Sequence, residues 1–599
     1  MKRNRSFSLV EVILAIAIFV ILAVSGMTLV LHSFSVNKLG EEQTNAGLYA
    51  QEGIEGVRSI KDQYWSNLVA DAETKGLWYS NGYWEFNGTN DTKDKYTRII
   101  LVSAVNRDGN GNIVESGGTL DANTMKVTST VNWNFSTARN NSITHITYLT
   151  NFRKPIVEDA LVIYGDASNT PKYRLFNSYS NSFGAQLNTV SGSSGQYFSV
   201  RTSPRKIEAI AGYVSSSGVL QVMCFNGLSW TNEWSVSVGG GGTTKRFDIA
   251  YETSSGDVVV VYSQNTTSAN ALVYRTKAGS SGCGLVNWTS AVNFATNPSA
   301  TTGTVQWVSL ARDPRTASNN ITAIWADDSS DLGVNNWSGS TWATGTGTYK
   351  ALETDLERVN TSQDVDNFGV VYESVSGNAM VVWGNASGAN GVNGARYSRC
   401  TGGVYTCSWS TASPIPTVND DVHNIDVSAN PNTNQIAYAA IGDAGNDLTA
   451  GYWSGSAWTG YRNLDASAES PFPGSKLVST AWLINGLTTR WVLSYDDATG
   501  QNLSWFAATP GSVPVMQADF DVVPNVGDIR ERYDSDFNPV AKNEAMVVFT
   551  NASRLLFAKR ILMDTSGNFT WNNSDGSAAL GTTAIIPQQG FAFAYWRNP

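Results

Sequence analysis

The strongest pattern in the chain is an apolar run near its start. Residues 12–31 contain no charge and consist mainly of Ile, Leu, Val and Ala. A helix of ~20 residues, rising ~1.5 Å per residue, spans the ~30 Å apolar core of a bilayer. Beyond it, apolar positions thin out to spacings of three and four: Ala50, Ile54, Val57, Ile60/Lys61, Tyr64 and Leu68. That spacing predicts an amphipathic continuation of the helix, packed on a small domain. Gly40, Gly47, Gly53 and Gly56 interrupt it. Each costs ~1 kcal/mol relative to Ala in a helix, so packing must hold the segment. The period then changes to two. Strands are expected over 77–86, 96–106, 124–135 and 142–153, with a turn at Arg107-Asp108-Gly109-Asn110-Gly111-Asn112. Asp108, Asn110 and Asn112 echo a calcium loop, but the closing bidentate Glu is missing, so the turn is the expected reading. The resulting segments are a leader (1–6), a helix (7–69), a small β head (70–155) and a large C-terminal part (156–599).

The C-terminal part repeats. YETSSGDVVVVY at 251–262 matches YESVSGNAMVVW at 372–383, and LGVNNWSGSTW at 332–342 matches LTAGYWSGSAW at 448–458. CFNGLSW at 224–230 and DTSGNFTW at 564–571 are weaker copies. Units begin near Tyr197, Lys245, Val305, Asp364, Asp421, Lys476 and Ile529. A period of ~45–60 residues, read as strand–turn–strand units, resembles the four-stranded blades of a β-propeller. Residues 159–186 look like a blade lacking its first strand, and 590–597 like a first strand lacking a blade. Joined, they close a ring and leave no long edge. The expected fold is therefore mainly β: a long N-terminal helix with a small β-sheet head, then a propeller of about eight blades, alternatively seven. A solenoid or a string of sandwiches is the competing architecture.

Composition supports this. Charged residues are 15% and net charge is −10, with no Lys/Arg cluster after the first few positions, so no nucleic-acid partner is expected. Three scattered histidines, His32, His145 and His423, offer no metal site. Cys400 and Cys407 flank a hairpin turn and could form a local disulfide, whereas Cys224 and Cys283 are left open.

The N-terminus carries chemistry. Lys2, Arg3 and Arg5 precede the apolar run and Glu41-Glu42 follow it, which places the leader in the cytoplasm and the bulk outside. Glu11 stands at the lip of the apolar helix, where an unpaired carboxylate is costly, so a partner is expected. Ser6, Phe7-Ser8-Leu9-Val10-Glu11 and the helix after them resemble the type IV prepilin signal. The resemblance implies cleavage between Ser6 and Phe7 by a prepilin peptidase and methylation of the new N-terminus. It also implies that Glu11 pairs with the N-terminal amine of a neighbouring subunit during assembly. Ser6 stands where the family usually has Gly. Residues 7–153 also resemble minor pilins of the pilus-modification group. The implied partners are other pilin subunits through the helix, and the inner membrane before assembly. The implied location is the cytoplasmic membrane as precursor and an extracellular pilus afterwards.

No catalytic set stands out in the repeats. WSGSTW and WSGSAW lack the Asp of sialidase boxes, and Asp327-Asp328, Asp420-Asp421 and Asp496-Asp497 follow strands, where turn acids are usual. Gly239-Gly240-Gly241-Gly242 lacks the Lys of a phosphate loop. The expected function is a minor pilin whose propeller recognises a surface glycan or protein at the filament tip, with no cofactor, no metal and no enzymatic activity. The competing readings are a displayed glycan-active enzyme and a pseudopilin for secretion or DNA uptake.

Overall fold

A computed structural model describes residues 8–596, apart from 151–158, 167–169, 241–243, 268–270, 295–302, 345–349, 358–366, 387–393, 404–406, 443–446, 469–475, 498–501, 518–541, 574–578, 586–589 and single or paired positions elsewhere. The chain divides into two compact units, Met1–Pro155 and Ile156–Pro599.

Unit 1 begins with helix α1, Leu9–Gln63, followed by a 3-10 turn at Trp65–Asn67. Its first half exposes nearly every apolar side chain, among them Leu9, Ile13, Phe19, Leu22, Leu29 and Phe34. Its second half buries Ala46, Tyr49, Ala50, Ile54, Val57 and Ile60. The strands are β1 (Leu77–Ser80), β2 (Tyr83–Phe86), β3 (Asp91–Lys93), β4 (Tyr96–Arg107), β5 (Ile113–Val114), β6 (Thr119–Ser136) and β7 (Arg139–Thr150). β1 and β2 form a hairpin, and β3-β4-β6-β7 form an antiparallel sheet with β5 beside β4. One side of β4 and β6 (Ile100, Val102, Val127) shares a core with Ile54, Val57 and Ile60 of the helix. The turn at 107–112 is held by Asp108, whose carboxylate accepts the Asn112 backbone N–H at 2.8 Å and its side-chain amide at 3.1 Å.

The helix glycines have a physical reason. A Cβ on Gly53 would sit 2.6 Å from Ser129 Oγ and 2.8 Å from Arg98 Cδ, and one on Gly56 would sit 3.1 Å from Leu77 Cδ1. The missing side chains let α1 lie close over Arg98, which is 2% exposed. Arg98 pairs with Asp91 at 2.9 Å and Glu52 at 3.6 Å, donates to Tyr49 O at 3.1 Å and stacks on the Tyr49 ring. Removing one member of a buried ion pair strands the other in the interior. Arg98→Met should therefore destabilise unit 1 by about 3–5 kcal/mol, measured by denaturant unfolding of the detergent-solubilised protein. A loss under about 1 kcal/mol would rank the network as peripheral.

Unit 2 is a β-propeller. Among its described residues there are eight antiparallel sheets, and all but the first are meanders in chain order. Sheet 2 is typical: Gly195–Thr202, Ala209–Ser215, Val219–Phe225 and Trp230–Ser237. The inner strands of sheets 3 to 7 are Phe247–Tyr251, Val305–Arg312, Phe368–Tyr372, Val422–Ala429 and Val478–Asn485. Sheet 8 contributes Glu544–Thr550, Leu556–Met563 and Phe569–Asn573. The expected start at Ile529 lies outside the described residues. Sheet 1 joins the two ends of the unit: Phe591–Tyr595 pairs antiparallel with Ala160–Tyr164, Phe593 opposite Val162. Consecutive sheets share apolar cores. The last of these packs Met546, Val548 and Leu556 of sheet 8 against Ala160, Val162 and Phe591 of sheet 1, so the series returns to its start.

Candidate functional sites

At the N-terminus, Ser8 caps α1. The Val10 N–H donates to Ser8 Oγ at 3.4 Å, and the Ser8 N–H donates to Glu11 Oε2 at 3.0 Å. This is a capping box: the acid three residues in satisfies a backbone donor that the first turn leaves orphaned. Glu11 is exposed, and the apolar helix face beyond it is exposed too. Ser6 and Phe7 lie outside the described residues.

Glu42 is buried after the apolar stretch. It accepts the Trp133 indole N–H at 3.1 Å and pairs with Lys95, tying helix to sheet.

In unit 2 the inner strands carry a polar seam. Asp248 of sheet 3 accepts Ser199 Oγ–H of sheet 2 at 2.7 Å and the Leu310 N–H of sheet 4 at 2.9 Å. Asn424 accepts the Leu477 N–H at 2.6 Å, and Asp426 accepts the Thr480 N–H at 2.8 Å. Neighbouring inner strands are not hydrogen-bonded into one sheet, so these side chains satisfy backbone donors that no strand reaches. Tyr197 of sheet 2 meets Trp307 of sheet 4 edge to face at 5.6 Å. Both are buried in one core with Phe368 of sheet 5, so aromatic side chains from non-adjacent sheets fill the centre at this level.

A second set of acids ties neighbouring sheets together at the first-to-second turns. Glu208 accepts Lys277 Nζ at 2.9 Å on both oxygens and Tyr251 Oη–H at 3.1 Å. Glu373 accepts Trp453 Nε1–H at 2.9 Å and Arg399 Nη2–H at 2.6 Å. Glu252 accepts Trp337 Nε1–H at 2.6 Å and Ser255 Oγ–H at 2.5 Å. The repeats noticed in the sequence, 251–262 with 372–383 and 332–342 with 448–458, are the two halves of this Glu–Trp link. The cation is not repeated. Arg399 lies opposite Met380, and the matching position opposite Val259 is Thr276.

Without that cation, burial pushes the Glu252 carboxyl up to about 7. Its folded-state pKa thus lies above the unfolded value of ~4.3, and the folded state binds more protons between the two. Stability is full below the unfolded value and falls as pH rises through about 7. At ~1.4 kcal/mol for each pH unit between the two values the loss is at most about 3–4 kcal/mol, and less as water screens the group. Denaturant unfolding at a series of pH values should show this slope, absent in Glu252→Gln and reduced in Thr276→Arg. An unchanged slope in Glu252→Gln would assign it elsewhere.

The remaining sequence candidates are structural. Asp327 is buried and accepts the N–H groups of Gly303, Ser329 and Asp331, with its pKa raised to about 6 by burial. Asp328 is exposed and accepts the Thr304 N–H. Asp496 and Asp497 end a strand, and Asp420 lies outside the described residues. Ser338 and Ser454 hold matching hairpin turns through their hydroxyls. Cys400 and Cys407 form a disulfide, and so do Cys224 and Cys283, which link sheets 2 and 3. The second pair spans 59 residues, so no local turn in the sequence announces it. Glu208 lies close to this pair, but disulfide sulfurs are not thiolate ligands.

Residues 1–29 match the prokaryotic N-terminal methylation motif. The chain opens with a prepilin signal. None of the curated proteins matches the sequence significantly. Among solved structures, a fucose-specific lectin from Aleuria aurantia aligns at 13% identity and TM-score 0.31, over 56% of this chain and 90% of the lectin. A protein from Lactobacillus plantarum aligns at 11% identity and TM-score 0.34, over 73% and 99%. The α-L-arabinofuranosidase arb93a from Fusarium graminearum aligns at 11% and 0.28, over 52% and 92%. The propeller fold of this chain rests on its own strand order rather than on these likenesses.

Proposed function

We propose that this protein is a minor pilin whose propeller, of eight blades, is a recognition module at or near a filament tip. The observation that carries the reading is the exposed apolar half of α1 under a prepilin signal, in a chain whose remainder buries its apolar strands. An exposed apolar helix of this length is covered by lipid in the precursor and by neighbouring helices in a filament. Cleavage between Ser6 and Phe7 frees an amine close in sequence to Glu11, and that amine, on a neighbouring subunit, is the partner the carboxylate needs. The leader stays in the cytoplasm and the propeller is exported, an oxidising route that suits two disulfides.

Binding is favoured over catalysis by what the acids do. Glu208, Glu373 and Asp248 are engaged in holding sheets together, and aromatic rings occupy the centre. A head of 444 residues (156–599) is too bulky to repeat along a close-packed helical shaft, so few copies are expected. Quantitative mass spectrometry of sheared filaments tests this. The protein should be a small fraction of the main subunit, and equal abundance would refute the tip reading.

A further inference from the structure

The sheet of unit 1 has two unlike edges. The outer side of β4 is covered by a series of short segments. β3 pairs with residues 96–98, Lys75 bridges to Ile100, the Asp71 N–H donates to Val102 O at 3.3 Å, and β5 pairs with Asn106 and Arg107. The other edge is β7. It pairs with β6 on one side, and among the described residues no strand pairs with its outer side. β7 has 12 residues, about twice the usual strand length, and alternate backbone N–H and C=O groups along it face outward. Edges of this kind are ordinarily blunted by Pro, Lys, an inward charge or a bulge. β7 reads RNNSITHITYLT, with no Pro, Lys, Asp or Glu, and its ladder with β6 is regular from Asn140 to Thr150.

A groove runs along this edge. It measures about 390 Å³ and lies between 144–147 of the strand and Gln51, Ile54 and Arg58 of the helix. Leu48, Gln51, Glu55 and Arg58 fall on one stripe of α1 at spacings of three and four, and Leu48 is 65% exposed. On the sheet face turned away from α1, Ile146 and Tyr148 of β7 are 54% and 43% exposed.

We infer that a β-strand of a different, neighbouring pilin subunit is added to β7. This deepens the minor-pilin reading and rests on it. An open strand edge is recognised by one chemistry, another extended backbone, and alternate side chains decide which one. Every second residue of the added strand lies against the stripe that begins at Leu48, and the residues between stand beside Ile146 and Tyr148, so apolar and β-branched side chains suit both sets. The stripe follows along the same helix from its exposed apolar half, the surface that neighbouring helices cover in the proposed filament. Helices packed side by side carry their heads side by side.

The direction of β7 argues against a second copy as the partner. β7 runs beside α1 in the same sense: Ile143 Cδ1 lies 3.6 Å from where a Cβ on Gly47 would stand, His145 Nδ1 is 3.3 Å from Gln51 Oε1, and Leu149 shares a core with Ile54 and Val57. A second β7 joined antiparallel, as β6 is joined, would point its own α1 the opposite way. Helices inserted in one membrane by the same charge rule share one orientation. A strand running back towards the membrane in a co-oriented neighbour meets β7 antiparallel.

The test uses the full chain in the cells that assemble it. The photo-cross-linker p-benzoylphenylalanine replaces Tyr148 on the edge or Ser116 on an exposed bend of the same unit, and sheared filaments are irradiated. Position 148 should give an adduct whose partner peptide is a strand of another pilin, and position 116 should give none. Ile146→Pro and Thr147→Pro add a backbone readout. Adjacent N–H groups of an edge strand face opposite sides, so one of the two variants removes only an outward donor. That one is the variant whose unfolding in detergent stays closer to the parent, and it should lower the adduct at 148 at least about tenfold. Filament-borne protein with no adduct at 148, with an adduct to a second copy or to a protein that is not a pilin, with an equal adduct at 116, or with an adduct that neither proline lowers overturns the inference and leaves the minor-pilin reading standing. Absence of the protein from filaments overturns both.

Discussion

Ending the chain after Gln589 should prevent the propeller from folding. The ten residues removed include Phe591–Tyr595, the inner strand of sheet 1, in which every residue is buried. Their loss strips Ala160–Tyr164 of its partner along the whole strand. It also removes the Tyr595 carbonyl that accepts Thr202 Oγ–H at 2.7 Å, and the Tyr595 hydroxyl that donates to Glu544 at 3.1 Å. Phe591, Phe593, Tyr595 and Trp596 all lie in apolar cores shared between sheets. Burying each such ring contributes about 1.5–3 kcal/mol, so the four together rival the ~5–15 kcal/mol that stabilises a typical domain. The truncated protein should lose its cooperative unfolding transition and become sensitive to limited proteolysis. A midpoint close to that of the intact chain would mean that closure adds little.

Glu11→Ala should remove the protein from filaments by at least tenfold while its membrane level and the propeller's unfolding stay unchanged. Two roles meet in this carboxylate. In the structure it caps the first turn of α1 through the Ser8 N–H. Losing a cap costs about 1 kcal/mol and frays one helix end, which cannot by itself exclude a subunit. The proposed pairing with a neighbour's amine inside packed helices would bury a charge, where removing one partner costs about 3–5 kcal/mol. Glu11→Gln separates the two: its amide oxygen keeps the cap and its charge is gone. Assembly should fail in both variants. Recovery in the Gln variant would assign Glu11 to capping alone.

How much of this was legible in the sequence depends on the range of each interaction. The apolar run, the helical spacing of Ala50, Ile54 and Val57 and the alternation within β4 are local patterns, and local periodicity reports them. The pairing of 591–595 with 160–164 was legible because each segment was incomplete by itself. The Glu252–Trp337 link was not, because its partners are 85 residues apart. Nor was the Arg98 network, whose signal was indirect: Gly53 looked like a weakness of the helix and is the gap through which Arg98 is covered. The Cys224–Cys283 bridge stayed open for the same reason as the Glu–Trp link, since only the fold brings sheet 2 against sheet 3. Glu11 needed a partner on physical grounds, and the capping box supplies one within the chain that its isolated charge did not suggest.

The central claim is that a processed prepilin helix carries the propeller into a filament. The most direct measurement is the N-terminal peptide of the protein recovered from sheared filaments, read by mass spectrometry. The account expects a peptide beginning at N-methylated Phe7. A filament-borne protein beginning at Met1, or the absence of the protein from filaments while it accumulates in the membrane, would contradict it.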